Sequence, residues 1–172
     1  IVKTTVPAGL TRNAITWTDD RKVAAFVTAR DDEVLAFSRA AAAAIEALPP
    51  TSIDPALLKL MAVHEALRLF GTTYSIDPVS AYESMSEDAT VVDFLQFPRQ
   101  TLRFKSGDCD DLSVLYAALL ESLGVQTAFV TIPGHIFMAV RLDGSPDELH
   151  GAYTRPDDLI VVDETVWLPI EI

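Results

Sequence analysis

The chain contains one cysteine, and the residues around it favour chemistry at the sulfur. Cys109 lies in the run SGDCDD, residues 106–111, where a loop gives way to an apolar helical repeat. Unpaired backbone N–H groups and the helix dipole favour negative charge at a helix N-terminus, so we expect a stabilised, nucleophilic thiolate. The neighbouring aspartates act in the opposite direction, since nearby carboxylates raise a thiol pKa. A cationic partner is therefore needed to activate Cys109.

His135 is the candidate for that partner. Residues 125–132 are rich in β-branched and aromatic side chains, and Pro133-Gly134 fits the two central positions of a type II turn. A second strand is predicted from His135 to Leu142, which places the histidine at its beginning. If this sheet packs against the cysteine helix, His135 can approach Cys109.

Two acidic residues are candidates to orient the imidazole. Strands are predicted over Leu159–Asp163 and Val166–Ile172, joined at Glu164-Thr165. Asp163 then takes the first position of a β-turn, where Asp is common for local reasons. Glu171 lies in a strand that is otherwise apolar, and a carboxylate there needs a partner. We therefore prefer Glu171 and keep Asp163 as the alternative.

The helix that carries Cys109 is predicted from the spacing of its apolar residues. They recur at steps of three and four, and Gly124 stands where a left-handed C-cap belongs. Asp108 is a good N-cap, and Asp111 follows three residues later. The apolar positions are Leu112, Leu115, Tyr116, Leu119, Leu120 and Leu123.

The rest of the chain supplies further elements that must position these residues. Helices are predicted over Asp31–Leu48, which contains an alanine run, and over Asp54–Phe70, which opens with Pro55. Residues 91–97 are predicted as a short helix stopped by Pro98. The first thirty residues contain strand-like pieces that either pair with each other or clasp the core. Residues 143–158 are predicted as an exposed loop.

These motifs resemble the transglutaminase-like superfamily of papain-fold cysteine enzymes. The resemblance rests on GDCDDLS at 107–113, the helix end at 119–124, PGH at 133–135 and WLPIE at 167–171. It covers roughly residues 94–172. In that family the cysteine is the nucleophile, the histidine is the base, and an acid four residues after a tryptophan completes the triad.

By position, the resemblance assigns these roles to Cys109, His135 and Glu171. The usual third residue is Asp, so Glu171 departs from the family's pattern. The resemblance implies an α+β papain-like fold, in which a helical lobe with the cysteine at a helix N-terminus packs on an antiparallel sheet. It also implies a bacterial, extracytoplasmic protein.

The implied reaction is acyl transfer from a peptide amide. The thiolate attacks the carbonyl, His135 protonates the leaving amine, and the thioester is resolved by water or by another amine. Hydrolysis by a cysteine protease or amidase is the leading interpretation; amine crosslinking and a catalytically silent peptide-binding module are the alternatives. The oxyanion would be met by the Cys109 backbone N–H and a second donor, for which Gln96 and Gln100 are candidates.

Neither a metal nor another cofactor is expected. The acidic cluster of Asp108, Asp110 and Asp111 lacks the alternating oxygen ligands and distal Glu of an EF-hand. His64 and His150 have no partners at metal-ligand spacing. A structural domain supported by a metal nevertheless stays open as an alternative to an enzyme.

Composition and net charge limit the possible domain organisation and the possible partners of the chain. With 172 residues, 49% of them hydrophobic and 22% charged, we expect one domain over residues 1–172, excised from a longer protein. It would comprise peripheral strands in 1–30, a helical part in 31–100 and a catalytic core in 101–172. The net charge of -12 argues against nucleic acid or anionic membrane as a partner, and no apolar run approaches a membrane span. The expected partner is a peptide or protein substrate, and the oligomeric state is left open.

Overall fold

The computed structural model describes residues 13–76 and 92–171, and it has an α+β architecture. The helices are α1 (Asp32–Glu46), α2 (Pro55–Phe70), α3 (Pro98–Phe104), α4 (Cys109–Ser122) and α5 (Pro146–Ala152), with 3₁₀ turns at Asp20–Phe26 and Pro156–Asp158. The strands are β1 (Ala14–Thr16), β2 (Thr73–Tyr74), β3 (Val92–Phe94), β4 (Ser106–Gly107), β5 (Thr127–Ile132), β6 (His135–Arg141), β7 (Ile160–Val162) and β8 (Thr165–Ile170).

A four-stranded antiparallel sheet forms one layer of the fold, in the order β5-β6-β8-β7. The β5–β6 hairpin closes with Ile132 opposite His135, so the predicted Pro133-Gly134 turn is confirmed, with Gly134 at φ 75°. Strand β8 runs along the other edge of β6, with Met138 opposite Ile170. The start of β6 and the end of β8 therefore lie side by side.

Helix α4 is the centre of the other layer. The sequence predicts one apolar stripe, but every side chain from Cys109 to Leu120 is buried, Asp110 and Asp111 included. The helix is enclosed because it packs against α1, α2 and α3 as well as against β5 and β6. A helix covered on all sides buries positions that an amphipathic pattern assigns to solvent.

The two long upstream helices begin and end within two residues of their predicted bounds. The Asp54 carboxylate caps α2 by accepting from the backbone N–H groups of Ala56 and Leu57. Gly71, at φ 84°, terminates the helix in the left-handed conformation. The predicted Pro55 at the first turn is confirmed.

Two local predictions are wrong. Residues 92–94, predicted as helix, form strand β3 paired with β1, and Pro98 begins helix α3 instead of stopping one, since proline suits the first turn. Residue 91 lies outside the described part of the chain. The predicted loop 143–158 contains α5, because Ser145 and Glu148 form a capping box that the loop prediction overlooked.

The N-terminal segment packs against the core from residue 13 onward, where the structure describes it. Strand β1 pairs with β3, and Ile15 and Trp17 are buried in one apolar cluster with Cys109. Residues 1–12 and 77–91, which carry the other predicted pieces of these segments, lie outside the described residues. Within the described residues, no helix has the length and apolar character needed to cross a membrane.

Candidate active site

Cys109 is the first residue of α4, as predicted. The Asp108 side chain caps the helix by accepting from the Asp111 backbone N–H. Gly107, two residues before the cysteine, is required by close packing, because a Cβ there would lie 2.6 Å from the Asp111 Cβ. The turn that presents the thiol is therefore held by a cap and by one obligatory glycine.

The environment of the thiol corrects the expectation of a stabilised thiolate. Cys109 is only 8% exposed, and this burial raises the pKa of its thiol above the ordinary value. The nearby backbone N–H of Ile136 lowers the pKa, and the Asp108 charge raises it. Burial outweighs the helix terminus, so the resting group at neutral pH is a thiol.

The side chains of His135 and Glu171 are joined by a hydrogen bond. The Nε2 atom of His135 lies 2.7 Å from the Glu171 Oε1 atom. His135 is the first residue of β6, and Glu171 directly follows β8, so the antiparallel register of these strands brings the two side chains together. The His135 side chain is 31% exposed and that of Glu171 is 67% exposed, so water reaches this pair.

The backbone next to His135 lies near the thiol. Ile136 follows His135, and its backbone N–H is close enough to Cys109 to lower the pKa of the thiol. Ile136 and Cys109 also belong to the same buried apolar cluster. The structure thus brings the start of β6 against the start of α4, which was the condition set for His135 to approach the cysteine.

Asp163 lies elsewhere, at the tip of the β7–β8 hairpin. Val162 pairs with Thr165, so Asp163 and Glu164 are the two central residues of the turn, both at positive φ. This corrects the predicted turn by one residue. Glu171 follows the opposite end of β8, so Asp163 is not brought to His135.

The two glutamines proposed as oxyanion donors are engaged within the protein. The Gln96 Nε2 group donates to the Asp111 carboxylate and, at 3.3 Å, to the Ser106 carbonyl, so both its amide hydrogens are in use. The Gln100 Oε1 atom accepts from the backbone N–H of Phe97 at 2.9 Å and from the Asn13 side chain. Gln100 therefore serves to cap α3, and Gln96 has no amide hydrogen left to donate to an oxyanion.

Tyr74 is a site residue that the sequence analysis missed. Strand β2 pairs in parallel with β4, which places Tyr74 opposite Gly107, two residues before the cysteine. Burial and the neighbouring charges of Cys109 and Glu171 raise the pKa of the Tyr74 hydroxyl. Among the described residues this hydroxyl has no hydrogen-bond partner. A two-residue parallel pairing leaves no sequence pattern that could have revealed it.

Three buried carboxyl groups lie at the N-terminus of α4, on the residues that flank Cys109. Ligand atoms of Asp108, Asp110 and Asp111 lie within 4.8 Å of one another, the one group of this kind among the residues described that could hold a metal ion. Burial raises the pKa of Asp111 to about 7 and that of Asp110 well above its ordinary value. Near neutral pH Asp111 is therefore partly protonated.

The other two histidines lie away from Cys109. The Nδ1 atom of His64 forms a hydrogen bond of 2.9 Å with the Tyr116 hydroxyl. This bond links α2 to α4. His150 is exposed on α5.

No family model, curated protein or solved structure matches this chain. Its function therefore has to be inferred from the geometry around Cys109.

Proposed function

We propose that this chain is a thiol-dependent amide hydrolase with a papain-like core of the transglutaminase-like type. The catalytic residues would be Cys109, His135 and Glu171. The observation that carries the proposal is the 2.7 Å contact between His135 and Glu171, formed at the start of the strand whose next residue, Ile136, shares a buried cluster with Cys109.

The first chemical step forms a thioester. Because burial raises the pKa of the Cys109 thiol, His135 removes the proton as the sulfur attacks the carbonyl carbon of the substrate amide. The imidazolium then gives this proton to the amide nitrogen, the C–N bond breaks, and the amine leaves. Glu171 holds the ring in position and stabilises its positive charge.

The second step returns the enzyme to its starting state. His135 takes a proton from a water molecule, whose oxygen attacks the thioester carbonyl. The C–S bond breaks, the carboxylic acid leaves, and the proton returns to the sulfur. Water is favoured over an amine as the acceptor, because the His135–Glu171 pair is open to solvent.

Negative charge on the carbonyl oxygen needs donors in both steps. The backbone N–H of Cys109 is at the first position of α4, where it has no partner within the helix. We assign the second donation to the Tyr74 hydroxyl in place of Gln96 or Gln100. The support for this is the pairing of Tyr74 with Gly107 and its partnerless hydroxyl in the described structure.

Trapping of the acyl-enzyme tests the proposal. The protein is mixed with an N-acetylglycine nitrophenyl ester, quenched in acid and examined by peptide mass spectrometry. We expect an acetylglycyl adduct on Cys109 that hydroxylamine removes, multiple turnovers, and a loss of at least about a hundredfold in turnover for His135→Ala. Equal turnover by Cys109→Ala, or turnover unaffected by His135→Ala, would contradict it.

A second assay separates hydrolysis from crosslinking. A glutamine-containing peptide is offered together with a fluorescent primary amine. Ammonia release without incorporation of the label is the expected result, whereas incorporation would assign the chain to crosslinking.

A further inference from the structure

A second concave surface lies between helices α1 and α3. We call it the α1–α3 groove, and its lining includes Glu33, Ala36, Phe37, Phe70, Arg99 and Arg103. Its volume of about 540 Å³ is within the range of protein ligand sites. Cys109 and His135 do not line it, so the proposed chemistry does not account for it.

The floor of the groove is aromatic. Phe37 and Phe70 meet edge to face, with ring centroids 5.3 Å apart, and Phe70 remains 36% exposed. The Lys105 Nζ atom lies 4.0 Å from the centre of the Phe70 ring. An apolar side chain placed on this floor would remove the exposed ring surface from water, which is favourable.

The α3 side of the groove is cationic, whereas the α1 side carries the acidic Glu33, and the chain as a whole is acidic. Arg99, Arg103 and Lys105 lie within seven residues, and no acidic residue occurs between Asp93 and Asp108. The complete sequence, by contrast, has 25 acidic and 13 basic residues.

The two arginines differ in what they already bind. The Arg99 Nη1 atom contacts the Asp31 carboxylate at 3.2 Å, and Arg103 is exposed without a partner in the described part of the chain. The rim thus retains a guanidinium that is available to a carboxylate ligand, for which its planar donors are suited.

We propose that the α1–α3 groove docks an acidic peptide segment that carries one large apolar side chain. The apolar side chain would cover Phe37 and Phe70, and the flanking carboxylates would pair with Arg103 and Arg99. Charge complementarity with the α3 side favours this occupant, since its basic side chains attract carboxylates, which would lie on that side and away from Glu33.

The groove is also connected to the candidate active site. Helix α3 leads through β4 to Cys109, only six residues after Arg103. Where the proposed function holds, the groove would retain protein substrates while the nucleophile acts on a neighbouring part of their chain. This retention of substrates depends on the proposed function, and docking itself does not.

Fluorescence anisotropy with the Cys109→Ala protein tests docking independently of catalysis. The probe is a fluorescein-labelled peptide with a single tryptophan flanked by aspartates. We expect saturable binding that Arg103→Glu weakens about tenfold and that Ala36→Trp, which fills the groove without removing a core side chain, abolishes. The matched controls are Arg155→Glu and Ala44→Trp, both exposed sites outside the groove, and they should change the affinity less than about twofold.

Three outcomes would overturn the proposal. Equal weakening by Arg103→Glu and Arg155→Glu would mean nonspecific charge attraction. Equal binding of a peptide with lysines in place of aspartates, or with serine in place of tryptophan, would remove the chemistry that selects the occupant. Self-association of the protein that Ala36→Trp abolishes would assign the groove to a second copy of the chain.

Discussion

The His135 Nε2 atom lies 2.7 Å from the Glu171 Oε1 atom, although the two residues are 36 positions apart in the sequence. Pairing of β6 with β8 creates this contact. Because Nε2 is bound to Glu171, the orientation of the ring, and with it the direction of Nδ1, is fixed. A histidine oriented by a carboxylate is one part of the arrangement that thiol-dependent acyl transfer requires.

Removal of the Glu171 charge should impair turnover without unfolding the protein. Glu171→Gln retains the side-chain shape but cannot neutralise an imidazolium, so we expect kcat on an activated ester to fall at least about tenfold. Glu171→Asp should lie between the parent protein and Glu171→Gln, because the shorter side chain keeps the charge but cannot keep the same contact. The control is Asp163→Asn at the hairpin tip, and a loss of kcat there equal to that of Glu171→Gln would contradict the assignment.

Loss of the Tyr74 hydroxyl should affect the chemical step alone. Tyr74→Phe removes the proposed oxyanion donor, and we expect kcat to fall about a hundredfold, or about 2.7 kcal/mol. Alkylation of Cys109 by iodoacetamide creates no oxyanion, so its rate should not change. Steady-state kinetics and alkylation are measured on the same preparations, and an equal loss in both would indicate a structural role for Tyr74.

The Asp111 carboxyl should make the protein less stable as the pH rises. Its pKa is raised to about 7 in the folded protein from 3.8, so its stabilising contribution is complete below about pH 4 and is lost as the pH rises through about 7. A change of this size corresponds to a few kcal/mol in the free energy of unfolding. Asp111→Asn keeps an acceptor for the Gln96 backbone N–H and should flatten the dependence between about pH 4 and about pH 8.

Urea unfolding at several pH values measures this effect. The matched control is Asp157→Asn, an exposed position in a 3₁₀ turn, which should leave the pH dependence unchanged. The same slope in Asp111→Asn as in the parent protein would show that other groups cause it.

Gly107 should tolerate no side chain. An added Cβ would lie 2.6 Å from the Asp111 Cβ, so Gly107→Ala has to displace the first turn of α4 and should cost about 1–3 kcal/mol of stability. A Cβ added to Gly151 in α5 would meet no atom within 4 Å, so Gly151→Ala should be neutral or stabilising by up to about 1 kcal/mol. Thermal unfolding of both variants makes the comparison, and a harmless Gly107→Ala would refute the packing argument.

Local patterns in the sequence predicted the elements that carry the site. The helix start at Cys109, the strand start at His135 and the hairpin turn between β5 and β6 each follow from nearby residues. The preference for Glu171 over Asp163 agrees with the contact to His135, because a carboxylate in an apolar strand had to find a partner.

Features set by tertiary packing could not be predicted in this way. The raised pKa of the Cys109 thiol results from burial by distant segments, including Trp17. Tyr74 is brought to the site by the parallel pairing of the two-residue strands β2 and β4. The Gln96 side chain is unavailable there because it donates a hydrogen bond to Asp111. None of these contacts joins residues that are close in sequence.

The rate of Cys109 alkylation at neutral pH distinguishes a nucleophile activated by His135 from an ordinary buried thiol, because the chain has no other cysteine to react. Iodoacetamide labelling is followed by mass spectrometry in the parent protein and in His135→Ala, with both proteins in urea as the reference for an exposed thiol. If His135 draws the proton from the sulfur, the folded parent protein should react at least about ten times faster than folded His135→Ala. Equal rates in the two folded proteins, both rising only at alkaline pH as for an ordinary buried thiol, would contradict the account.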